Sequence, residues 1–342
     1  MSVISLADVY RARRRLQGRV VHTPLVESAS LSAIAGTRVY LKLETVQPTG
    51  SFKIRGATHA LARLAERGVT RVVTASTGNH GRAVAQAARM LGLEATVCLS
   101  SLVPQNKVQA VRALGAQVRV SGNSQDDAER EAERLAAEEG LAYVPPFDHP
   151  DVIAGQATIG LEIIESLPDV ERIVVPLSGG GLFSGVAFAA RQCSTEVKLT
   201  GVTMRRGAAM HESLAAGKPI LVDELPTLAD SLGGGIGLRN RYTFSMTQSL
   251  IDDALLVDEA SIARAIVHAY RHERLIVEGA AAVGIAAVLE GAVSASAPAS
   301  ASTRASVPGP IVLIASGANI DMDLHRRLLL EAPDAEPEPI LS

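Results

Sequence analysis

Alternation constrains this chain more than any other feature. Short apolar runs rich in β-branched residues are followed by segments with helical periodicity, and the pair repeats through a long stretch. Residues 71–75, 95–99, 117–120 and 142–144 read as strands, and 83–91, 106–114 and 126–139 as helices. A strand–helix–strand repeat lays each crossover helix against a sheet and makes the strands parallel, so the reading is a parallel sheet covered on both faces. The pattern starts again with a strand at 172–176, a helix at 182–190 and a strand at 197–203. It continues through helices at 260–271 and 280–289 to a late strand at 311–314. An earlier strand, 39–44, leads into the first of the chemical motifs.

Composition narrows the partners. With 342 residues, 47% of them hydrophobic, the chain can bury a full core as one large domain or two modest ones. A formal net charge of -3 gives no field that would draw in nucleic acid or an anionic membrane. The run Arg11, Arg13, Arg14, Arg15 reads as the solvated face of a helix. The two cysteines are far apart and no Cys/His cluster accompanies them, which argues against a zinc site or a disulfide framework. Cys98 lies in an apolar run and is expected to be buried. No apolar signal region and no bilayer-length apolar stretch is present, so the expectation is a reduced, cytoplasmic protein. Residues 294–309, rich in Ala, Ser and Pro, read as a mobile surface loop, and the acidic tail after Ala332 as frayed.

Three loops carry candidate chemistry. Ser51-Phe52-Lys53-Ile54-Arg55-Gly56-Ala57 follows a strand and a Pro48-Thr49-Gly50 turn and opens a helix. A lysine at a helix start meets the positive end of the macrodipole, and that field with partial burial favours the neutral amine. Placement alone also suits an ordinary surface lysine. Ala75-Ser76-Thr77-Gly78-Asn79-His80-Gly81 joins a strand to a helix. Its hydroxyls, glycine and amide suit a carboxylate or phosphate at a helix N-terminus, and equally suit a plain N-cap with a glycine turn. His80 there reads most simply as a satisfied structural residue. Pro176-Leu177-Ser178-Gly179-Gly180-Gly181-Leu182 is again strand, glycine run, helix. Three glycines leave backbone N–H groups free to converge on an anion. The spacing fails both the dinucleotide fingerprint and the P-loop pattern, which leaves a phosphate cradle or a flexible turn. A fourth segment, Ala315-Ser316-Gly317-Ala318-Asn319, offers a hydroxyl that could meet a ring nitrogen, and by itself is a plain turn.

Taken together and in this order, the four segments resemble the serine/threonine dehydratase branch of the fold-type II pyridoxal-phosphate enzymes. The resemblance runs from Thr23-Pro24-Leu25 to Asn319. It implies a tryptophan-synthase-β-like fold, with two doubly wound parallel-sheet α/β domains and the cofactor in the cleft between them. Residues 71–148 would form the small domain, and 1–70 with 149–342 the large one. It implies that Lys53 is the Schiff-base lysine and the base at Cα, with Phe52 before it as in the family's Ser-Phe-Lys motif. Asn79 would bond the cofactor's ring hydroxyl. Ser76, Thr77, Gly78, Asn79 and His80 would hold the substrate carboxylate. Ser178, Gly179, Gly180, Gly181 and Leu182 would hold the phosphate, and Ser316 the pyridine nitrogen. A neutral hydroxyl at that nitrogen weakens the electron sink and suits β-elimination. The implied reaction converts a small 3-hydroxy amino acid to a 2-oxo acid and ammonia, in a homodimer.

Departures from the family pattern sharpen the reading. Ser178 stands where the phosphate loop usually begins with glycine. Thr77 stands where racemase members carry the serine that serves the opposite face, which keeps a racemase in view. After the strand at 197–203 come Met204, Arg205 and Arg206 in place of the acidic ligand of metal-stimulated members, so no metal is expected there. The run 229–242 is similar to dehydratases of hydroxyectoine and ectoine breakdown, and Arg205, Arg206, Arg239 and Arg241 hint at an acidic or extended substrate. The regulatory domain of biosynthetic threonine deaminases is not expected, and the expectation is therefore a catabolic role. A β-replacement synthase fits the motifs less well. A non-catalytic binding protein on the same fold would have no use for Lys53.

Overall fold

The computed structural model describes residues 3–76, 78–103, 105–294 and 309–332. Thr77, most of the 294–309 segment and the tail beyond Ala332 lie outside the described residues, so expectations for them have no structural counterpart here. Ten strands are seen among the described residues: β1 (Leu25–Ser28), β2 (Val39–Leu43), β3 (Arg71–Ala75), β4 (Glu94–Leu99), β5 (Gln117–Val120), β6 (Ala142–Tyr143), β7 (Arg172–Pro176), β8 (Lys198–Met204), β9 (Asp253–Val257) and β10 (Ile311–Ala315). The α-helices are α1 (Leu6–Leu16), α2 (Ala29–Ala35), α3 (Lys53–Ala65), α4 (Asn79–Leu91), α5 (Gln105–Ala113), α6 (Gln125–Glu139), α7 (Pro150–Ser166), α8 (Gly181–Cys193), α9 (Ala209–Ala216), α10 (Thr243–Leu250), α11 (Glu259–Arg271), α12 (Gly279–Leu289) and α13 (Met322–Glu331).

The strands form two sheets. The smaller has the order β5-β4-β3-β6 and is parallel throughout. The larger has the order β1-β2-β10-β7-β8-β9. It departs from the expected all-parallel sheet at one edge, where β1 runs antiparallel to β2. The link between them is little more than α2 and a left-handed turn at Gly36. That is too short for a parallel crossover, which needs about a dozen residues. Strand β9 and the long helix α7, absent from the sequence reading, complete this half.

Buried helices explain how the two sheets are held. In α12 every residue from Gly279 to Val288 is buried, as a helix that is apolar all round must be. Small residues let α3 and α7 approach closely. A Cβ on Gly155 would lie 2.6 Å from the Gly56 Cα and 2.8 Å from the Arg55 carbonyl oxygen. Beneath that contact four charges are sealed from water. Arg55 Nη2 lies 2.8 Å from Glu44 Oε1 and its Nη1 2.6 Å from Glu162 Oε1, while Lys42 Nζ lies 2.6 Å from Glu162 Oε2. Two cations and two anions balance, which is the condition for burying them at all. The network joins β2, α3 and α7, and it fixes the helix that begins with Lys53.

Two smaller expectations meet the structure here. The arginine-rich face of α1 is largely exposed, with Arg13 paired to Glu165 and Arg15 to Glu66. Cys98 is buried, and burial pushes its thiol up to about 11.

Candidate functional site

The carboxyl ends of β3, β7 and β10 and the amino ends of α3, α4, α8 and α12 meet in one region. A parallel sheet places its loops there, and helix N-termini add unspent N–H groups. Backbone bonds stitch the Lys53 turn to the end of β10. Phe52 N donates to Ser316 O at 3.0 Å, Ala318 N to Gly50 O at 2.8 Å, and Ser51 bridges to Gly317. Lys53 is the first residue of α3, and its Nζ donates to the Pro146 carbonyl at 2.9 Å. The side chain keeps some access to solvent, yet the surrounding chain desolvates the amine. Burial pushes it down to about 8, with Glu278 pulling the other way.

Asn79 lies in the first turn of α4, which starts four residues before the expected helix at 83. The turn can wind early because tertiary partners, invisible in the sequence, satisfy its polar groups. Asn79 Nδ2 donates to Glu278 Oε1 at 2.8 Å, and Asn319 Nδ2 donates to Asn79 Oδ1 at 2.6 Å. Asn319 also donates to Thr49 O at 2.9 Å and accepts from Arg82. His80 is buried, with Nε2 3.0 Å from Val144 O. Burial and nearby Lys53 push it down to about 3, so its ring is neutral and donates to that carbonyl. Gly78 caps the helix, and Ser76 is partly exposed just before it.

The glycine loop sits at the start of α8. Gly180 adopts the left-handed conformation at φ 86 and caps the helix, whose first bond is Ser184 N to Gly180 O at 2.8 Å. The N–H groups of 179–183 therefore have no partner within the helix. Each glycine is closely packed: a Cβ would lie 2.5 Å from the Phe147 ring at Gly179, 2.8 Å from Met210 at Gly180, and 2.9 Å from Phe147 at Gly181. Leu182 is buried, and Ser178 is partly exposed. At the end of β10, Ser316 is buried to 3% exposure, and its hydroxyl has no hydrogen-bond partner among the described residues.

The structure thus brings Lys53, Asn79, the 178–182 loop and Ser316 to one place. It adds residues that the sequence reading missed. Glu278 caps α12 and is buried, and burial with the charge of Asp230 pushes its carboxyl up to about 7. Its one sequence signal was an acidic residue directly before a Gly-Ala-Ala-Ala run, a helix cap with no polar face behind it. Pro146 and Phe147 were unsignalled. Among the described residues no group of three or more His, Cys, Asp or Glu is placed to hold a metal ion. Arg205, Arg206, Arg239 and Arg241 are all exposed.

Chemically, this is an amine that loses its proton close to neutral pH, beside a helix N-terminus able to hold an anion. Comparison with known proteins agrees. The sequence profile of the family described as "Pyridoxal-phosphate dependent enzyme" matches residues 16–309. A Sinorhizobium fredii protein provisionally named a threonine dehydratase is 53% identical over 96% of this chain and 96% of its own length. The L-threonine ammonia-lyase of Thermotoga maritima is 41% identical over 96% of this chain and 78% of its own length. Among solved structures, maize serine racemase superposes with a TM-score of 0.86 at 31% identity, covering 96% of this chain and 97% of that one.

Proposed function

This chain belongs to the family of pyridoxal-phosphate dependent enzymes, and from that premise we propose that it is an ammonia-lyase, a dehydratase of small 3-hydroxy amino acids of the threonine or serine type. The observation that carries the reading is Lys53. Its amine, pushed down to about 8, points at a backbone carbonyl beside an anion cradle. Names of relatives supply the reaction class, and the site supplies the groups it needs.

The residues present fit the cofactor. The N–H groups left open at the start of α8, where the left-handed Gly180 is the cap, suit its phosphate. Ser316 offers an unspent hydroxyl to a ring nitrogen, Asn79 an amide to the ring hydroxyl, and Phe52 flanks the lysine. When bound, the cofactor draws electrons away from the substrate's Cα. Lys53 would then act as the base that takes the Cα proton, a role that requires the neutral amine that desolvation favours. The turn 76–80 would hold the substrate carboxylate at the start of α4, with Thr77 among its residues. We read 71–148 as a small domain that closes over 1–70 and 149–342, excluding water from the cleft. The 3-hydroxyl leaves as water, and the released enamine hydrolyses to a 2-oxo acid and ammonia.

The run 229–242 borders the site, with Ser231 Oγ 3.5 Å from Asn79 Nδ2, and it leads directly into Thr243, which lies against Gly180. We therefore place substrate selection there, with a hydroxyectoine-derived amino acid as the specific candidate. Its exposed arginines suit an extended or acidic substrate. A catabolic, cytoplasmic homodimer completes the reading. The likeness to maize serine racemase favours a second activity, racemisation, which would turn on Thr77.

The test is the visible absorption spectrum of the purified protein before and after addition of L-threonine, L-serine and the hydroxyectoine-derived amino acid. A band that shifts while 2-oxo acid accumulates supports the lyase. A band that shifts with D-serine formed and no 2-oxo acid replaces it with the racemase. No response to any of the three overturns the substrate class.

A further inference from the structure

The last four residues between β6 and α7, Pro146 to His149, form a strap, and each is committed to a different partner. The Pro146 carbonyl accepts from Lys53 Nζ. The Phe147 ring lies against Gly179, and its Cβ and backbone lie against Gly181. Asp148 accepts three backbone N–H groups from one remote segment: Arg241 N at 2.7 Å on Oδ2, and Tyr242 N at 2.9 Å and Thr243 N at 2.8 Å on Oδ1. His149 caps α7 through Nδ1, which accepts from Asp151 N at 3.1 Å.

The segment that Asp148 holds is itself a wall of the glycine loop. A Cβ on Gly180 would lie 2.9 Å from Thr247 Oγ1 and 3.0 Å from Thr243 Cβ. Ser184 of α8 ties to the same helix, with its hydroxyl 3.3 Å from Thr243 O and 3.2 Å from Thr247 Oγ1. The loop is therefore gripped between two jaws. Phe147 is one, and the first turn of α10 is the other. The Asp148 carboxylate is the group that fastens the jaws to each other. It also caps α10 from outside, since Thr243 N is one of the amides left open at that helix start, and a carboxylate is favoured there.

Consecutive glycines lose more conformational freedom on ordering than any other sequence would. Three of them cannot keep their N–H groups converged without help. Resting on the reading of 178–182 as the phosphate loop, we infer that Asp148 is a positioning residue that preorganises this loop for phosphate by locking Phe147 to the 241–243 segment. It touches neither phosphate nor substrate. Its effect passes through the two jaws.

The inference separates the phosphate from the rest of the cofactor, and this makes it testable. Pyridoxal and pyridoxal phosphate share the aldehyde that reacts with Lys53 and differ in the phosphate. Apo wild type, Asp148→Ala and Asp148→Asn are titrated with each compound, reading the visible band, and the thermal midpoint of each apo chain is recorded. Asp148→Ala loses all three acceptors, whereas Asp148→Asn keeps Oδ1 for Tyr242 and Thr243. The expected result is a Kd for pyridoxal phosphate raised about tenfold or more in Asp148→Ala and by less in Asp148→Asn, with pyridoxal affinity within about twofold of wild type in both. Amide exchange at 241–243 speeds up in the same order. Equal weakening for both compounds, or an unchanged Kd for pyridoxal phosphate, overturns the inference. Should Asp148→Ala not fold, the comparison in Asp148→Asn decides it. Formation of 2-oxo acid from L-threonine by the wild type is scored separately, so the lyase reading and the clasp can fail independently.

Discussion

Burial moves two side chains of the site in opposite directions: Lys53 is pushed down to about 8 and Glu278 up to about 7. Each shift has its own consequence. If Lys53 is both the cofactor's anchor and the base, Lys53→Ala should abolish the visible band and lower kcat by on the order of a thousandfold or more. A variant that keeps the band would remove Lys53 from that role. Glu278 gives a signature in stability. Its ordinary value is 4.5. Between pH 4.5 and 7 the folded chain holds a proton that the unfolded chain has lost, so stability falls as pH rises through that window. A shift of this size corresponds to roughly 3 kcal/mol, complete above pH 7. Lys53 lies outside this window, adding stability only between pH 8 and 10.5, but buried His80 and His59, both pushed down to about 3, add stability as pH rises to 6.5 and so run against Glu278. The Glu278 contribution is therefore read as a difference: between pH 5 and 7 the apo thermal midpoint of wild type should fall relative to that of Glu278→Gln, which can still accept from Asn79 while the histidines act equally in both chains. Parallel curves for the two chains would mean that Glu278 is ionised throughout.

At the scale of elements, the contact between α3 and α7 decides where Lys53 sits. A methyl group on Gly155 would press on the backbone of Arg55 and Gly56, which cannot swing aside as a side chain can. Gly155→Ala should cost about 1–3 kcal/mol by overpacking. Because α3 begins at Lys53, the same variant should weaken cofactor binding. Chemical denaturation and a cofactor titration check the two halves, and an unchanged denaturation midpoint would contradict the packing. Such contacts also mark the limit of what the sequence discloses. The segments around Lys53, Asn79, Gly179–Gly181 and Ser316 are legible because each is contiguous: an apolar strand, then small residues, then a helix. Glu278 and Asn319 are not, because their meaning comes from Asn79, which lies 199 and 240 positions away. Asp148 is silent for the same reason, since its partners are backbone amides whose sequence carries no mark. The antiparallel β1 was missed because its direction is set by the length of a connection rather than by its own residues.

Across the whole molecule, several contacts run from elements of the small sheet to the large one, among them Asn79 to Glu278, Arg82 to Asn319, and Lys107 to Asp230. The first two are inside the site. The third is peripheral, with Lys107 Nζ 3.7 Å from Asp230 Oδ2 and side-chain exposures of 45% and 65%. If residues 71–148 close over the cleft, this pair is formed on closure, and its exposure limits its worth to about 0–1 kcal/mol. Asp230→Asn should then raise KM by at most about fivefold and leave kcat within about twofold. Salt should imitate the substitution, since exposed charges are screened within about 10 Å at 0.1 M. Rising ionic strength should raise the wild-type KM toward that of the variant and leave the variant flat. Asp230 has a second connection, because its charge helps hold the Glu278 carboxyl up. Were that its main role, Asp230→Asn would move the pH window of the apo stability curve downward while KM kept its wild-type salt dependence. The two measurements on one variant therefore separate a closing contact from an electrostatic influence on the site. An Asp230→Asn enzyme with unaltered KM, salt response and pH window would show that this edge of the cleft has neither role.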